Sequence, residues 1–186
     1  MADDAVLLKA TQAGVATITL NRPALHNAFN AEVIELLSEI LGDLAGADGV
    51  RVVMLTAVGK SFSAGADLNW MKQAASFSEE ENREDARALG EMLRRLNRLP
   101  KPTVALVQGS AFGGGVGLMA VCDIVVAVRD AAFSLSEGKL GLIPATIPPY
   151  VSAAISHRPA RSYCPTRTPL CRQQTATPAP RAESAP

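Results

Sequence analysis

Apolar residues recur along the chain with two periods, that of a strand and that of a helix. Each stretch with one of these periods predicts one element. Val15 to Leu20 alternates and is rich in β-branched residues, which predicts a strand paired with Val6 to Lys9. A helix is predicted after Asn30, a good N-cap, because apolar residues follow it at helical spacing until Gly46. These apolar residues are Val33, Ile34, Leu37, Ile40, Leu41 and Leu44.

Further strands and one long helix are predicted beyond residue 50. Val50 to Thr56 is a continuous apolar run, as expected for a strand covered on both faces, and Thr103 to Gln108 and Ile124 to Val128 are also candidate buried strands. Phe133 to Leu135 is a shorter candidate. A capping box, an acidic first turn and a basic last turn predict a helix between Ser78 and Leu99. Strands that alternate with helices imply an α/β architecture.

Two segments could aim backbone N–H groups at one point, and each follows a predicted strand: Ser61 to Leu68 and Gly109 to Leu118. The three consecutive glycines at 113 to 115 let the main chain approach a ligand closely. If a helix starts at Val116, its free N–H groups and positive dipole end favour an oxygen anion. Two such turns that converge would form an oxyanion hole.

A dinucleotide site competes with this interpretation, because Gly115 to Ala120 fits the pattern G-x-G-x-x-A. Residues 116 to 122 leave only about two turns of helix before the next strand, which is short for a crossover. The pattern also belongs near the first strand of such a fold. A phosphate-binding loop at Gly59 to Ser61 fails because Met54 occupies the position of its first glycine.

Glu137 is the carboxylate that the sequence singles out, since it follows a short strand and precedes an apolar segment. In an apolar pocket its pKa would rise towards neutrality, which suits proton transfer. A solvated glutamate is the simpler alternative. Asp67 is expected to cap a helix and Asp123 to bond a turn, and His26 is expected at the surface or in a hydrogen bond.

The amino-acid composition argues against several classes of function. The chain has 186 residues, 48% of them hydrophobic, with 18 basic and 18 acidic residues and no dense basic block, which argues against a nucleic-acid partner. The acidic N-terminus does not resemble a secretory signal, so a cytoplasmic location is expected. The cysteine spacing predicts neither a zinc site nor a disulfide framework, and Cys122 is expected in the core.

The stretch from Val104 to Cys122 carries no charge and is long enough to span a bilayer. Its glycines, Gln108 and Ser110, and its β-branched start favour a buried strand instead, so no membrane partner is expected. The amino-acid composition changes at about residue 155, since half of the chain's 12 prolines and two of its three cysteines lie beyond this point. The expected division is a core over 1–154 and a disordered tail over 155–186.

Several ordered motifs together resemble the crotonase (enoyl-CoA hydratase/isomerase) family, over nearly all of Val6 to Ala154. The segments Gly113 to Leu118 and Gly141 to Ala145 are most similar to hydratases of the branched glutaconyl-CoA type. The resemblance implies a crotonase-like α/β spiral of repeated β-β-α turns. The motifs are Asn21 to Pro23, Asn27 to Phe29, Ser61 to Leu68, Lys101-Pro102, Gly109 to Leu118, Cys122-Asp123 and Phe133 to Pro144.

The resemblance also implies a site. The N–H groups of Ala66 and Gly114 would hold the thioester oxygen of an acyl-CoA, and Glu137 would be the catalytic glutamate. Coenzyme A is then part of the substrate, and neither another cofactor nor a metal is implied. The main chain of Ala28 and of Ala66, Asp67, Leu68 and Asn69 would line the coenzyme A path, with Arg22, Lys60 and Lys72 as weaker candidates for its phosphates.

The chain departs from the family pattern at two places. Gly117 occupies the position where many family hydratases carry a second glutamate, so an enoyl-CoA isomerase is an alternative to the expected hydratase. The family's helical C-terminal region, which covers the acyl pocket and builds trimers or hexamers, has no counterpart after about residue 155. A reading-frame change or truncation is the hypothesis for this difference, and an acyl-CoA-binding remnant without catalysis is the third alternative.

Overall fold

The structure is a computed structural model that describes residues 4–11, 13–135 and 146–155. Within these residues the chain forms eight strands in two sheets, together with five α-helices and one 3₁₀ turn at Pro23–Leu25. The strands are β1 (Val6–Ala10), β2 (Val15–Leu20), β3 (Val52–Ala57), β4 (Ser61–Ser63), β5 (Thr103–Val107), β6 (Ser110–Phe112), β7 (Ile124–Ala127) and β8 (Phe133–Ser134). The helices are α1 (Ala31–Gly46), α2 (Leu68–Ala74), α3 (Glu79–Asn97), α4 (Gly114–Ala120) and α5 (Pro148–Ile155).

The two sheets are built by one repeated turn. The large sheet has the order β1-β2-β3-β5-β7, and the small sheet has the order β4-β6-β8. From β3 onwards, each strand of the large sheet is followed by a short strand of the small sheet, and the first two such pairs are followed by a helix. All pairings are parallel except that of β1 with β2. This arrangement confirms the predicted α/β fold of repeated β-β-α turns.

Helices α1 and α3 pack against each other and, with one face of the large sheet, form the core. The predicted capping signals are confirmed at both helices: Asn30 accepts from the N–H of Val33, and Ser78 and Glu81 form a complete capping box. Five of the six apolar residues predicted for α1 are buried, and Ile40 is partly buried. Helical spacing therefore identified the core-facing side of α1 correctly.

Three strands were predicted to be buried, and none of them is buried on both faces. In β3 and β5 only alternate residues are buried, so one face of each strand packs on the core and the other is only partly covered. In β7 no residue is buried, because this strand is the outer edge of the large sheet. An apolar run does not show how many neighbours a strand has in space.

The uncharged stretch from Val104 to Cys122 forms β5, β6 and the seven-residue helix α4. In the described part of the chain, no helix is both long and apolar enough to cross a membrane. The shortness of α4 also argues against the dinucleotide interpretation. Gly109 allows the close stacking of this region, because a Cβ there would overlap the carbonyl oxygen of Lys60.

Candidate active site

The two predicted turns meet, because the strands that lead into them are neighbours. Strands β4 and β6 pair in parallel, so the turns that follow them leave the small sheet at the same end. Gly65 has a φ of +85°, and a Cβ built on it would lie 2.9 Å from the carbonyl oxygen of Phe112 and 3.3 Å from the nitrogen of Gly114. Only glycine combines this backbone angle with this contact. The two turns are therefore in contact, and the aim of their N–H groups at one point stays a prediction.

Two backbone N–H groups beside this contact have no acceptor among the described residues. Ala66 forms a bridge with Phe29, but the bonds run from Phe29 N to Gly65 O and from Asp67 N to Phe29 O, both at 2.7 Å. The N–H of Ala66 is left out of this pairing. Gly114 is the first residue of α4, so its N–H has no partner within the helix. Ala66 is exposed and Gly114 is buried, so the pair lies where the surface meets the core, and we call the surface at these two residues the recess.

The ring of Phe29 supports the turn at Gly114. A Cβ on Gly114 would lie 2.8 and 2.9 Å from two carbons of this ring, which is almost fully buried. Ser63 supports the same region, since its hydroxyl donates to Asn27 O at 2.8 Å and accepts from Gly65 N at 3.2 Å. The buried side chains of Phe29 and Ser63 therefore support both turns.

Asn27 joins three separate pieces of main chain behind the site. Its Nδ2 donates to the carbonyl oxygens of Val58 and Ser61 at 2.8 and 2.9 Å, and its Oδ1 accepts from Arg22 N at 2.8 Å. The residue is buried and adopts a left-handed φ of 54°, which asparagine tolerates better than most residues. In the sequence Asn27 stands out only as part of a motif, and nothing near it indicates this role.

Arg22 and Asp67 form an ion pair at 3.1 Å that is mostly shielded from solvent. Asp67 also caps α2 by accepting from Asn69 N at 2.8 Å and Trp70 N at 3.4 Å, as predicted. Burial acts to raise the pKa of Asp67, but the two backbone hydrogen bonds and the Arg22 guanidinium outweigh it and lower the pKa overall. Since Arg22 also donates to Ala28 O, its guanidinium is engaged inside the protein.

Replacing Asp67 by alanine should lower the free energy of unfolding by about 2 kcal/mol at neutral pH, through the lost cap and the unpaired Arg22. Because the pKa of Asp67 is lowered by folding, its contribution is complete well above the ordinary value of 3.8 and is lost as the pH falls through the folded-state pKa. Urea denaturation of both proteins across this range measures the difference. Asp43→Ala, at an exposed helix position, is the control. A difference that does not shrink in acid would contradict this account.

The other predicted site residues differ in their exposure, and one of them lies outside the described part. Ala28 is buried, while Leu68 is 63% exposed and Asn69, Lys60 and Lys72 are exposed as well. The main-chain N–H groups of Asp67 and Asn69 are bonded internally, so they are already in use. Glu137 lies outside the described residues.

Gly117 is packed against apolar side chains. A Cβ built on it would lie 3.2 and 3.3 Å from two side-chain carbons of Ile147 and 3.6 Å from a methyl carbon of Leu93. These three residues are buried. A longer side chain at this position would require Ile147 to move.

Cys122 and Asp123 connect the start of β7 to β5. Asp123 Oδ2 accepts from Thr103 N and from Thr103 Oγ1, both at 2.8 Å, so Asp123 bonds a strand end where a turn was expected. Burial raises the pKa of Cys122 to about 12, with a smaller contribution from the Asp123 charge. The thiol is therefore protonated at neutral pH, as suits a core residue. His26 Nδ1 lies 3.0 Å from Ser61 Oγ at the surface, which confirms its predicted hydrogen-bonding role.

Comparisons with known proteins agree on one family. The sequence profile of enoyl-CoA hydratase/isomerase matches residues 10–177. The chain is 39% identical over 139 residues to the 1,2-epoxyphenylacetyl-CoA isomerase of Escherichia coli, covering 74% of this chain and 53% of that protein. It is 37% identical over 131 residues to the short-chain-enoyl-CoA hydratase of Clostridium acetobutylicum, covering 70% of this chain and 49% of that protein.

The fold is also shared with solved structures. The crystal structure of an enoyl-CoA hydratase from Shewanella pealeana superposes with a TM-score of 0.88 at 42% identity, over 91% of this chain and 64% of that one. The chain spans about half the length of these curated relatives and less than two thirds of the solved chain. Sequence and fold together show that the chain belongs to the enoyl-CoA hydratase/isomerase family.

Proposed function

We propose that this chain binds an acyl-CoA thioester and adds water across its 2,3 double bond. The observation that supports this most strongly is the close approach of Gly65 to Gly114, where a Cβ on Gly65 would lie 3.3 Å from the Gly114 nitrogen, next to the N–H groups of Ala66 and Gly114. Neither group has an acceptor among the described residues. The thioester oxygen would be that acceptor.

Hydration of an enoyl thioester requires hydrogen-bond donors held in fixed positions at the thioester oxygen. When a nucleophile adds to an enoyl thioester, negative charge develops on the thioester oxygen as an enolate forms. Two backbone N–H groups aimed at that oxygen stabilise this charge more than they stabilise the neutral substrate, which lowers the barrier. Glu137 would transfer the protons, acting on the water as a base and then delivering a proton to the carbon of the enolate.

The coenzyme A part of the substrate would follow the exposed main chain from Ala66 to Asn69, beside Ala28. Lys60 and Lys72 are exposed cations close in sequence to this path, and they are the candidates for the coenzyme A phosphates. Arg22 is a weaker candidate because its guanidinium bonds Asp67 and Ala28. The proposed acyl group is of the branched methylglutaconyl type, on the resemblance of Gly113 to Leu118.

Isomerisation is the second candidate function. A second carboxylate is absent from position 117, and the packing of Ile147 against this glycine leaves little room for one. A single carboxylate is enough to move a proton from one carbon to another. One of the similar proteins carries the name of an isomerase.

Product analysis separates the candidates. Crotonyl-CoA and 3-methylglutaconyl-CoA are each incubated with the chain, and the products are separated by chromatography and identified by mass. We expect a gain of one water, because hydration removes the conjugated double bond. A product of unchanged mass with a moved double bond would favour the isomerase, and binding without any product would favour the non-catalytic alternative. Failure to bind either thioester would contradict the proposed site.

A further inference from the structure

Ser63 is a fully buried residue that touches both of the turns at the recess. Its hydroxyl donates to Asn27 O at 2.8 Å and accepts from Gly65 N at 3.2 Å, so it bonds the turn that leads to Ala66. A Cβ built on Gly115 would lie 2.8 Å from Ser63 Cβ and 3.1 Å from Ser63 Oγ. The first turn of α4 therefore packs on the same side chain.

The direction of the Ala66 N–H follows from the bonds of the residue before it. Gly65 O accepts from Phe29 N at 2.7 Å, and the peptide bond between Gly65 and Ala66 is trans. In a planar trans peptide the C=O of one residue and the N–H of the next point in opposite directions. The N–H of Ala66 therefore points away from Phe29 N, and any rotation of this peptide would turn the N–H by the same angle.

Hydrogen bonds rather than steric hindrance hold this peptide in place. Gly65 has a φ of +85°, and glycine has no Cβ to restrict the backbone angles near this value. Phe29 N holds the carbonyl of Gly65, and the hydroxyl of Ser63 holds its N–H. Without the hydroxyl, the buried N–H of Gly65 would lose this acceptor, and the turn would relax by rotation about the soft angles of glycine.

We propose that Ser63 is a positioning residue for the hydration reaction. Its hydroxyl sets the direction of the Ala66 N–H, and its contact with Gly115 sets the distance from this group to the Gly114 N–H. The inference rests on the proposed function, because it concerns the two donors to the thioester oxygen. Donors that are fixed where charge develops stabilise the transition state more than the substrate, so a misdirected donor should lower kcat more than it raises KM.

The first test compares Ser63→Ala with Thr103→Val. Thr103 is a matched control, because its buried hydroxyl also makes two hydrogen bonds, donating to Asp123 Oδ2 at 2.8 Å and accepting from Asp123 N at 2.9 Å. Neither bond involves the two turns. Both variants should therefore lose similar amounts of thermal stability.

The kinetics of the two variants should differ. With crotonyl-CoA, Ser63→Ala should reduce kcat by about 10- to 10²-fold with little change in KM, as expected for donors displaced by about 1 Å or less. Thr103→Val should keep the kcat of the wild type. A loss of kcat in Ser63→Ala that is no larger than that in Thr103→Val, or a change in KM alone, would overturn the proposal.

The second test observes the thioester oxygen without turnover. Infrared difference spectra are recorded for butyryl-CoA, a saturated thioester that cannot be hydrated, with an isotope label at its carbonyl carbon. Hydrogen bonds to the oxygen lower the stretching frequency of this carbonyl. Binding to the wild type and to Thr103→Val should shift the band to lower frequency, and binding to Ser63→Ala should shift it less.

This measurement separates two kinds of failure. An equal shift in Ser63→Ala and in the wild type would overturn the role of Ser63 and leave the proposed function intact. Bound butyryl-CoA without any shift in the wild type would overturn the proposed donors themselves, and the role of Ser63 with them.

Ser63→Cys keeps the proposal testable if Ser63→Ala does not fold, which circular dichroism would show. A thiol is a weak donor and a weak acceptor, so both hydrogen bonds of Ser63 would be retained in weaker form. The kcat and the band shift of Ser63→Cys should be smaller than those of the wild type and larger than those of a folded Ser63→Ala. Wild-type values of both in Ser63→Cys would contradict the role of the hydroxyl.

Discussion

Glu137→Gln should reduce the turnover of an enoyl-CoA thioester by about 10²- to 10⁴-fold, which is the usual contribution of a positioned acid or base. Glutamine has nearly the same shape but cannot accept and release a proton at neutral pH. The affinity for the thioester should change little, because the proposed donors to its oxygen are the backbone groups of Ala66 and Gly114. The measurement is the loss of absorbance of the conjugated thioester, with binding followed by calorimetry.

Glu84→Gln is the matched control for this prediction, because Glu84 is an exposed glutamate on α3, away from the recess. Its turnover should equal that of the wild type. If Glu137→Gln retained full turnover, another group would have to move the proton, and the proposed role of Glu137 would be wrong. A large loss of affinity without a change in kcat would place Glu137 in binding instead.

The second large effect is expected at Gly114. In Gly114→Ala the added Cβ would meet the buried ring of Phe29 at 2.8 and 2.9 Å, so either the ring or the turn must move. Displacing the amide from the thioester oxygen should cost about 10²- to 10³-fold in kcat, as the loss of one oxyanion donor does. Overpacking should also lower the free energy of unfolding by about 1–3 kcal/mol.

Gly46→Ala provides the comparison, because no heavy atom lies within 4 Å of a Cβ built at the end of α1. This variant should keep its turnover and its stability. Thermal unfolding and steady-state kinetics of the three proteins separate the two effects of Gly114→Ala. Normal kcat in a folded Gly114→Ala protein would show that this amide does not act on the reacting oxygen.

Local signals in the sequence predicted local structure well. The alternation of Val15 to Leu20 matches the bounds of β2, and the N-cap and helical spacing of α1 and the capping box of α3 are confirmed. These elements are determined by residues a few positions apart, which one sequence displays directly. The cap at Asp67 was predictable for the same reason.

Features that depend on distant residues were harder to predict. Strands β4 and β6 have three residues each, too few for a period to be visible, whereas the short strand predicted at Phe133 to Leu135 is confirmed as β8. The ion pair of Arg22 with Asp67 joins residues far apart in sequence, and nothing near either one indicates the other. The exposure of β7 depends on which strands lie beside it, and among the described strands only β5 pairs with it, which an apolar run such as Ile124 to Val128 cannot show. The contact of the two turns at Gly114 was predictable, because a run of glycines after a strand marks a place where the main chain comes close to another group.

The bonds of Asn27 have a consequence for how the recess meets its ligand. One buried side chain ties the loop before Phe29 to the turn after β3 and to the start of β4, before any substrate arrives. The recess is therefore preorganised by folding itself, so ligand binding need not offset the entropy of ordering these loops. The buried core therefore fixes the shape of the recess, and with it the affinity for a ligand, before binding.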